Sequence, residues 1–347
     1  MTGLLVRLGV PLPVIAAPMA GGPSTAMLVA AVGEAGGLGF LAAGYRTADQ
    51  LRAQITQVRT LTDRPFGVNL FVPGDPSVDR PALDAYAPAL EPVATRLGVA
   101  LGEPHWEDDE YAAKLELLVA ERVPLISFTF GCPSTADVER LREVDTVVAV
   151  TVTSPAEAVQ AQRAGADALV VQGAEAGGHQ GSFHDDPDVP LGAAARPLAT
   201  LLAELAPAVP LPLIAAGGLM TRDDIAAVLA AGAVAAQLGT AFLCCPEAGT
   251  SETHRRALLD PRFSVTAFTR AFTGRTARSL VNGFLRSHTA GAPAAYPWVH
   301  HLTRPLRVAA AARGDADALH LWAGEGWQAI RPMPAAELVT TLGAELA

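Results

Sequence analysis

The chain has 347 residues, half of them hydrophobic and 17% charged, with 25 Lys and Arg against 35 Asp and Glu. A formal net charge of −10 lacks the basic footprint that a nucleic-acid partner requires. Lys114 is the sole lysine, so neither a phosphate-loop lysine nor a Schiff-base lysine is expected, and its replacement should be without consequence. Three cysteines (Cys132, Cys244, Cys245) make no disulfide framework in a chain this long, which points to a reducing, cytoplasmic setting. No uninterrupted apolar run reaches the ~18 residues of a membrane span. The apolar stretch Leu4–Met19 lacks a basic start and is broken by Pro11 and Pro13, so no cleaved leader and no membrane partner are expected.

Taken in chain order, short apolar runs alternate with longer amphipathic, Ala-rich segments. Strands are predicted at Val14–Met19, Leu38–Ala42, Phe66–Phe71, Leu125–Phe130, Thr146–Val152, Ala168–Gln172, Leu213–Ala216 and Ala235–Gly239. Several are continuous apolar runs, as expected of strands covered on both faces. Helices are predicted at Ser24–Ala35, Asp49–Leu61, Asp109–Glu121, Ser134–Glu143, Ser154–Arg163, Ala193–Leu205 and Arg222–Ala231. Ser154 and Thr221 read as N-caps, Pro155 as a first helical residue, and Gly36 and Gly232 as left-handed stops.

Eight strands with helices between them give an α/β fold, the TIM (βα)8 barrel. The gap between Phe71 and Leu125 is about fifty residues and includes the Pro-rich stretch Pro73–Pro92, an insertion after the third strand. Residues 1–245 are assigned to the barrel and 246–304 to a helical lid subdomain. Elements near 305–347 return to pack on the barrel.

Gly217-Gly218 and Gln237-Leu238-Gly239-Thr240 end the last two strands, where glycine backbone can approach an anion closely. Those loops are the usual phosphate site of a TIM barrel, so a phosphate-bearing cofactor is expected. After the sixth strand comes Gln172-Gly173-Ala174-Glu175-Ala176-Gly177-Gly178-His179. Glycines there would let the backbone pass a flat ring, with His179 as a base. His179 with His184, Asp185 and Asp186 is also a conceivable ligand set, but a hydrated acidic loop explains those carboxylates equally well and no metal is expected. Gly37-Leu38-Gly39 imitates a dinucleotide fingerprint but leads from helix to strand, the reverse of the required order.

The chain resembles the nitronate monooxygenases, FMN-dependent TIM-barrel enzymes. The resemblance rests on Ala17-Pro18-Met19-Ala20-Gly21-Gly22, Gly67–Phe71, Ser127–Gly131, Glu175–His179, Ala215–Gly218 and Gln237–Phe242, with Ala295–Pro297 and Leu321–Gly324 later on. It implies that Ala20, Gly21, Gly22 and Asn69 contact the FMN ring and ribityl chain. Gln172 and Gly177 would hold the ring near its reactive edge. Gly217, Gly218, Gln237, Leu238, Gly239 and Thr240 would bind the phosphate. His179 is the implied catalytic base or electrostatic partner, with Phe130, Tyr296 and His300 as substrate-pocket candidates. The implied reaction takes a small-molecule nitronate and O2 to a carbonyl compound and nitrite, in a monomer or homodimer, and takes nitroalkanes after loss of the α-proton. The alternatives are an FMN-dependent enoyl-acyl-carrier-protein reductase using NAD(P)H, and a non-catalytic flavin-binding protein.

Overall fold

The computed structural model describes residues 3–346. Eight parallel strands close a barrel: β1 (Val14–Ala16), β2 (Leu38–Ala42), β3 (Phe66–Phe71), β4 (Leu125–Thr129), β5 (Val147–Val152), β6 (Ala168–Gln172), β8 (Leu213–Ala216) and β9 (Ala235–Leu238). β9 pairs back onto β1, with Val14 opposite Ala236. The predicted strands match these within a few residues at their ends. A two-residue strand, β7 (Gly178–His179), lies outside the barrel and is considered below.

Inside the barrel, Ile15, Leu38, Phe40, Val147, Val170 and Ile214 form one apolar cluster. A short helix, Gly3–Leu8, adds Leu4, Leu5 and Leu8 to the same cluster. Gly67 is required there, because a Cβ on it would overlap the Phe40 ring. The interior is therefore a packed core, and ligand space is left at the C-terminal ends of the strands.

The insertion departs from the sequence reading. Its Pro-rich part contains an 18-residue helix, Arg80–Leu97, that carries Pro88 and Pro92 internally. Leu83, Tyr86, Leu90, Ala94 and Leu97 make its buried stripe, and the Tyr86 hydroxyl donates to the Ala271 carbonyl at 2.8 Å. Burial of that stripe outweighs the proline penalty. The segment assigned to a helical lid is not helical throughout. Strands β10 (Thr266–Thr269) and β11 (Ala277–Leu280) run through it as an antiparallel pair. The boundary placed at 304 falls inside the helix Trp298–Arg313, and a later helix, Ala335–Gly343, packs beside β1 and the helix Ala26–Glu34. Among the described residues, no helix is long and apolar enough to cross a membrane. The three cysteines are free thiols.

Lys114 is not the bystander expected from the sequence. It is fully buried and its ammonium lies 2.8 Å from the Asp109 carboxylate. The other Asp109 oxygen accepts the Tyr45 backbone N–H at 2.9 Å, and Glu110 accepts that of Ala48 at 2.7 Å. The end of the insertion is thus latched to the loop after β2, at the start of the helix Ala48–Leu61, where carboxylates also suit the helix dipole. Tyr45, Asp109 and Glu110 all adopt left-handed backbone, at φ of 66°, 56° and 53°, a strain of about 1–3 kcal/mol each that these contacts must hold in place.

Burial pushes the Asp109 carboxyl up to about 6, against the opposing pull of Lys114. Removing the lysine charge should raise it further, and the penalty is felt where the unfolded carboxyl is ionised, above about pH 3.9. Lys114→Met should therefore cost about 3 kcal/mol at pH 8 and distinctly less at pH 5. Denaturant titrations at the two pH values measure this; equal, small losses would show that the pair is not a structural latch.

Candidate active site

A cavity of about 690 Å³ opens at the C-terminal ends of the barrel strands. Ala20, Gly21, Gly22, Asn69, Gln172, Gly177, Gly217, Gly218, Gln237, Leu238, Gly239 and Thr240 all lie on its wall, as do His179, Phe130 and His300. Tyr296 does not line this cavity. It stands behind, with its ring 5.6 Å from Phe130, and faces a smaller adjoining space.

The glycine-rich end has the features a phosphate needs. Gly217 and Gly218 adopt φ of 124° and 71°, conformations that L side chains rarely take. Thr240 Oγ1 accepts the Gly324 N–H at 3.0 Å, leaving its hydroxyl proton to donate. Gln237 Oε1, Thr250 Oγ1 and His320 Nδ1 are buried on the cavity wall without a protein partner. Orphaned polar atoms of this kind are what a bound polar ligand satisfies. The residues present therefore fit a flavin nucleotide. On the opposite side Asn69 Nδ2 is committed to Ser127 Oγ and Thr129 Oγ1, both at 2.9 Å, which leaves its amide oxygen as the free acceptor.

Two of the lining residues also have partners within the protein. Gln172 donates to the His179 carbonyl at 3.1 Å and accepts from Gly181 N–H at 2.6 Å, so its amide clamps the His179 loop first. Gly177 packs closely on the segment near Gly324: a Cβ on it would overlap the backbone of Ala323 and Gly324.

His179 sits on β7, which pairs antiparallel with β11, Ala277 opposite His179 and Arg278 opposite Gly178. Its Nε2 lies 2.9 Å from Thr273 Oγ1. The Thr273 oxygen also lies 3.4 Å from both the carbonyl and the N–H of Arg275, which ties the imidazole to the turn that precedes β11. Phe130, Tyr296 and Trp322 surround the imidazole, with centroids at 5.6, 6.1 and 5.4 Å. Burial, then the charges of Arg275 and Arg307, push His179 down to about 3, with Asp185 opposing. The imidazole is therefore neutral near pH 7.

The acidic loop is no metal ligand set around His179. Asp185 accepts from Arg270 Nε at 3.1 Å and from its terminal nitrogen at 2.6 Å, and from Thr276 N–H at 2.7 Å. Burial alone would raise this carboxyl; Arg270 and Thr276 prevail and hold it below its ordinary value.

Sequence reasoning missed the cationic roof. Arg307 donates to Thr303 Oγ1 at 3.1 Å and to the His300 carbonyl at 2.8 Å, and burial lowers it to about 10, still charged at neutral pH. Its partners are neutral, so its charge is open to a ligand in the cavity it lines. Arg275 lies 4.0 Å over the Phe130 ring. Tyr45 stacks on His300 at 4.1 Å and 9°. The signal available was the spacing His300, Arg304, Arg307, which places three cationic or polar side chains on one helix face.

A family model described as Nitronate monooxygenase matches residues 5–345. The chain is similar to a nitronate monooxygenase from Pseudomonas aeruginosa, 43% identical, the match covering 100% of this chain and 99% of that protein. It is similar in structure to nitroalkane oxidase from Streptomyces ansochromogenes, with a TM-score of 0.96 and 52% identity over 99% of this chain and 98% of the other. FabK from Thermotoga maritima superposes with a TM-score of 0.77 at 26% identity, over 99% and 94% of the two chains.

The depressed His179 has a thermodynamic signature. Below about pH 6.5 the unfolded imidazole takes a proton that the native one refuses down to about 3. Stability is therefore fully present above that range and falls with pH, by about 1.4 kcal/mol per unit for each such group. His179→Asn should make the acid-side slope shallower by that amount between about pH 6 and pH 4. An unchanged slope in denaturant titrations would contradict the buried, neutral assignment.

Proposed function

The chain belongs to the nitronate monooxygenase family, whose members are flavin-dependent oxidoreductases, and we propose that its flavin is FMN. The substrates are alkyl nitronates, oxidised with O2 to a carbonyl compound and nitrite. The observation that carries this reading is the placement of an unpaired Arg307 guanidinium and a neutral His179 around one cavity. A nitronate is an anion, and a buried cation whose partners are all neutral is the group that recognises it.

Gly217, Gly218, Gln237, Leu238, Gly239 and Thr240 would hold the phosphate, while Ala20–Gly22 and Asn69 would flank the ring and ribityl chain. Bound flavin supplies the electron acceptor for the substrate and the site of reaction with O2. The chain's own residues do the rest. Arg307 draws the nitro group in and orients it. Phe130, Tyr296 and Trp322 pack around His179 and leave it one open side, toward the cavity. Thr273 engages one ring nitrogen of His179, and the other would accept a proton or hydrogen bond as charge shifts on the substrate.

An imidazole lowered to about 3 is a weak base, so the preformed nitronate should be the better substrate and the neutral nitroalkane the poorer one. Acceptance of nitroalkanes is favoured by the 52% identical nitroalkane oxidase and by a His179 that is unprotonated near pH 7. The more distant FabK likeness does not favour the NAD(P)H-dependent reductase.

Oxygen uptake and nitrite release, measured with a nitroalkane, its nitronate and NADPH, test this reading. The nitronate should support turnover and NADPH should not. Arg307→Met should raise KM for the nitronate with flavin still bound. His179→Asn should cost about 10²–10⁴-fold in kcat/KM on the nitroalkane and less on the nitronate. For wild type, nitronate affinity should hold from pH 6 to 8, because the Arg307 charge persists across that range. Equal, small losses on both substrates would remove His179 from the mechanism.

A further inference from the structure

Away from the cavity, His105, Glu107 and His301 bring three ligand atoms within 4.8 Å of one another. His105 and Glu107 belong to the extended part of the insertion between the helices Arg80–Leu97 and Tyr111–Ala120. His301 belongs to the helix Trp298–Arg313, next to cavity-lining His300. The structure places on this point donors from two segments nearly two hundred residues apart in sequence. We propose that His105, Glu107 and His301 form a binding site for a zinc-like divalent transition metal.

Three observations support it. His301 Nε2 is buried and 3.2 Å from Glu107 Oε1, yet makes no hydrogen bond: the oxygen lies off the axis of the ring nitrogen. The two groups sit side by side around a shared point and do not bond each other. His105 Nδ1 lies 2.9 Å from the Glu103 carbonyl, so Nδ1 carries the proton and Nε2 is left as a lone pair. A backbone carbonyl fixing the far nitrogen is the outer-shell arrangement of metal-bound histidines. The rings of His105 and His301 stack at 3.8 Å with 20° between their planes, and His105 is exposed and able to tilt until both lone pairs converge.

Two imidazoles and one carboxylate select zinc or a neighbouring transition ion over calcium or magnesium, with water as a fourth ligand. Both imidazoles must be neutral to bind. Burial lowers His301, Glu107 opposes that, and His105, Arg304 and Arg307 reinforce it. The same arginines repel a cation, so the affinity should be moderate. Occupancy would cross-link the insertion to the helix that carries His300 and Arg307, a second tie beside the Lys114–Asp109 latch. The proposal does not depend on the identity of the substrate.

The test uses the flavin-loaded full chain, dialysed against chelator and titrated with Zn²⁺ in competition with a chromophoric indicator. One equivalent should bind with micromolar affinity. His105→Ala and Glu107→Gln, both exposed positions, should each weaken binding about tenfold or more with the thermal midpoint of the metal-free protein unchanged. Co²⁺ at the same site should show the visible absorption of a tetrahedral N/O set, lost in His105→Ala. Absence of a stoichiometric site, or binding undiminished in both variants, would overturn the proposal.

Discussion

The pairing of Gly178–His179 with Ala277–Arg278 is the contact on which the site depends. A loop at a barrel rim is ordinarily free to move; here its catalytic candidate is written into a strand ladder whose other members come a hundred residues later. The same edge carries Asp185 bound to Arg270 and Thr276, and Arg278 donates to the Ala174 carbonyl at 2.9 Å. Trp322 joins by a bridge to Ser279. The β6 loop, the β10–β11 pair and the segment near Gly324 therefore form one block. Disturbing any of them moves His179.

That block also sets the electrostatics. Enclosure strips water from His179, and the two nearby guanidiniums make its protonation costlier still. The positive charge of the cavity then resides in arginine, which holds its proton at working pH, and not in histidine, which would switch. An anion is attracted without the imidazole being consumed as a cation. The division of labour between Arg307 and His179 follows from burial and from the guanidinium charges beside the imidazole.

Most of the barrel was legible because its strands are continuous apolar runs and its helices begin at Ser or Thr and end at Gly. The glycine-rich strand ends and His179 were legible for the same local reason: special backbone leaves a mark in sequence. What failed to show was non-local. Arg80–Leu97 was hidden by its prolines, which local propensity penalises and tertiary burial of Leu83, Leu90 and Leu97 overrides. β7 and β11 are too short and too polar to read, since their pairing, not their composition, makes them strands. Gln172 and Gly177 lie where expected, but their partners, the His179 loop and the Ala323–Gly324 backbone, cannot be seen from their neighbours in the chain. A sole lysine looks incidental until it is found buried against Asp109, whose other oxygen holds the Tyr45 backbone 64 residues earlier in the chain, on a latch that no periodicity announces.

The central claim is that electrons enter this protein from an anionic nitro compound. Anaerobic stopped-flow mixing of the flavin-loaded protein with a nitronate, and separately with NADPH, tests it without oxygen chemistry intervening. The oxidised flavin absorption should be lost with the nitronate, in a single saturable phase, and should not change with NADPH. Bleaching by NADPH with the nitronate inert would contradict it.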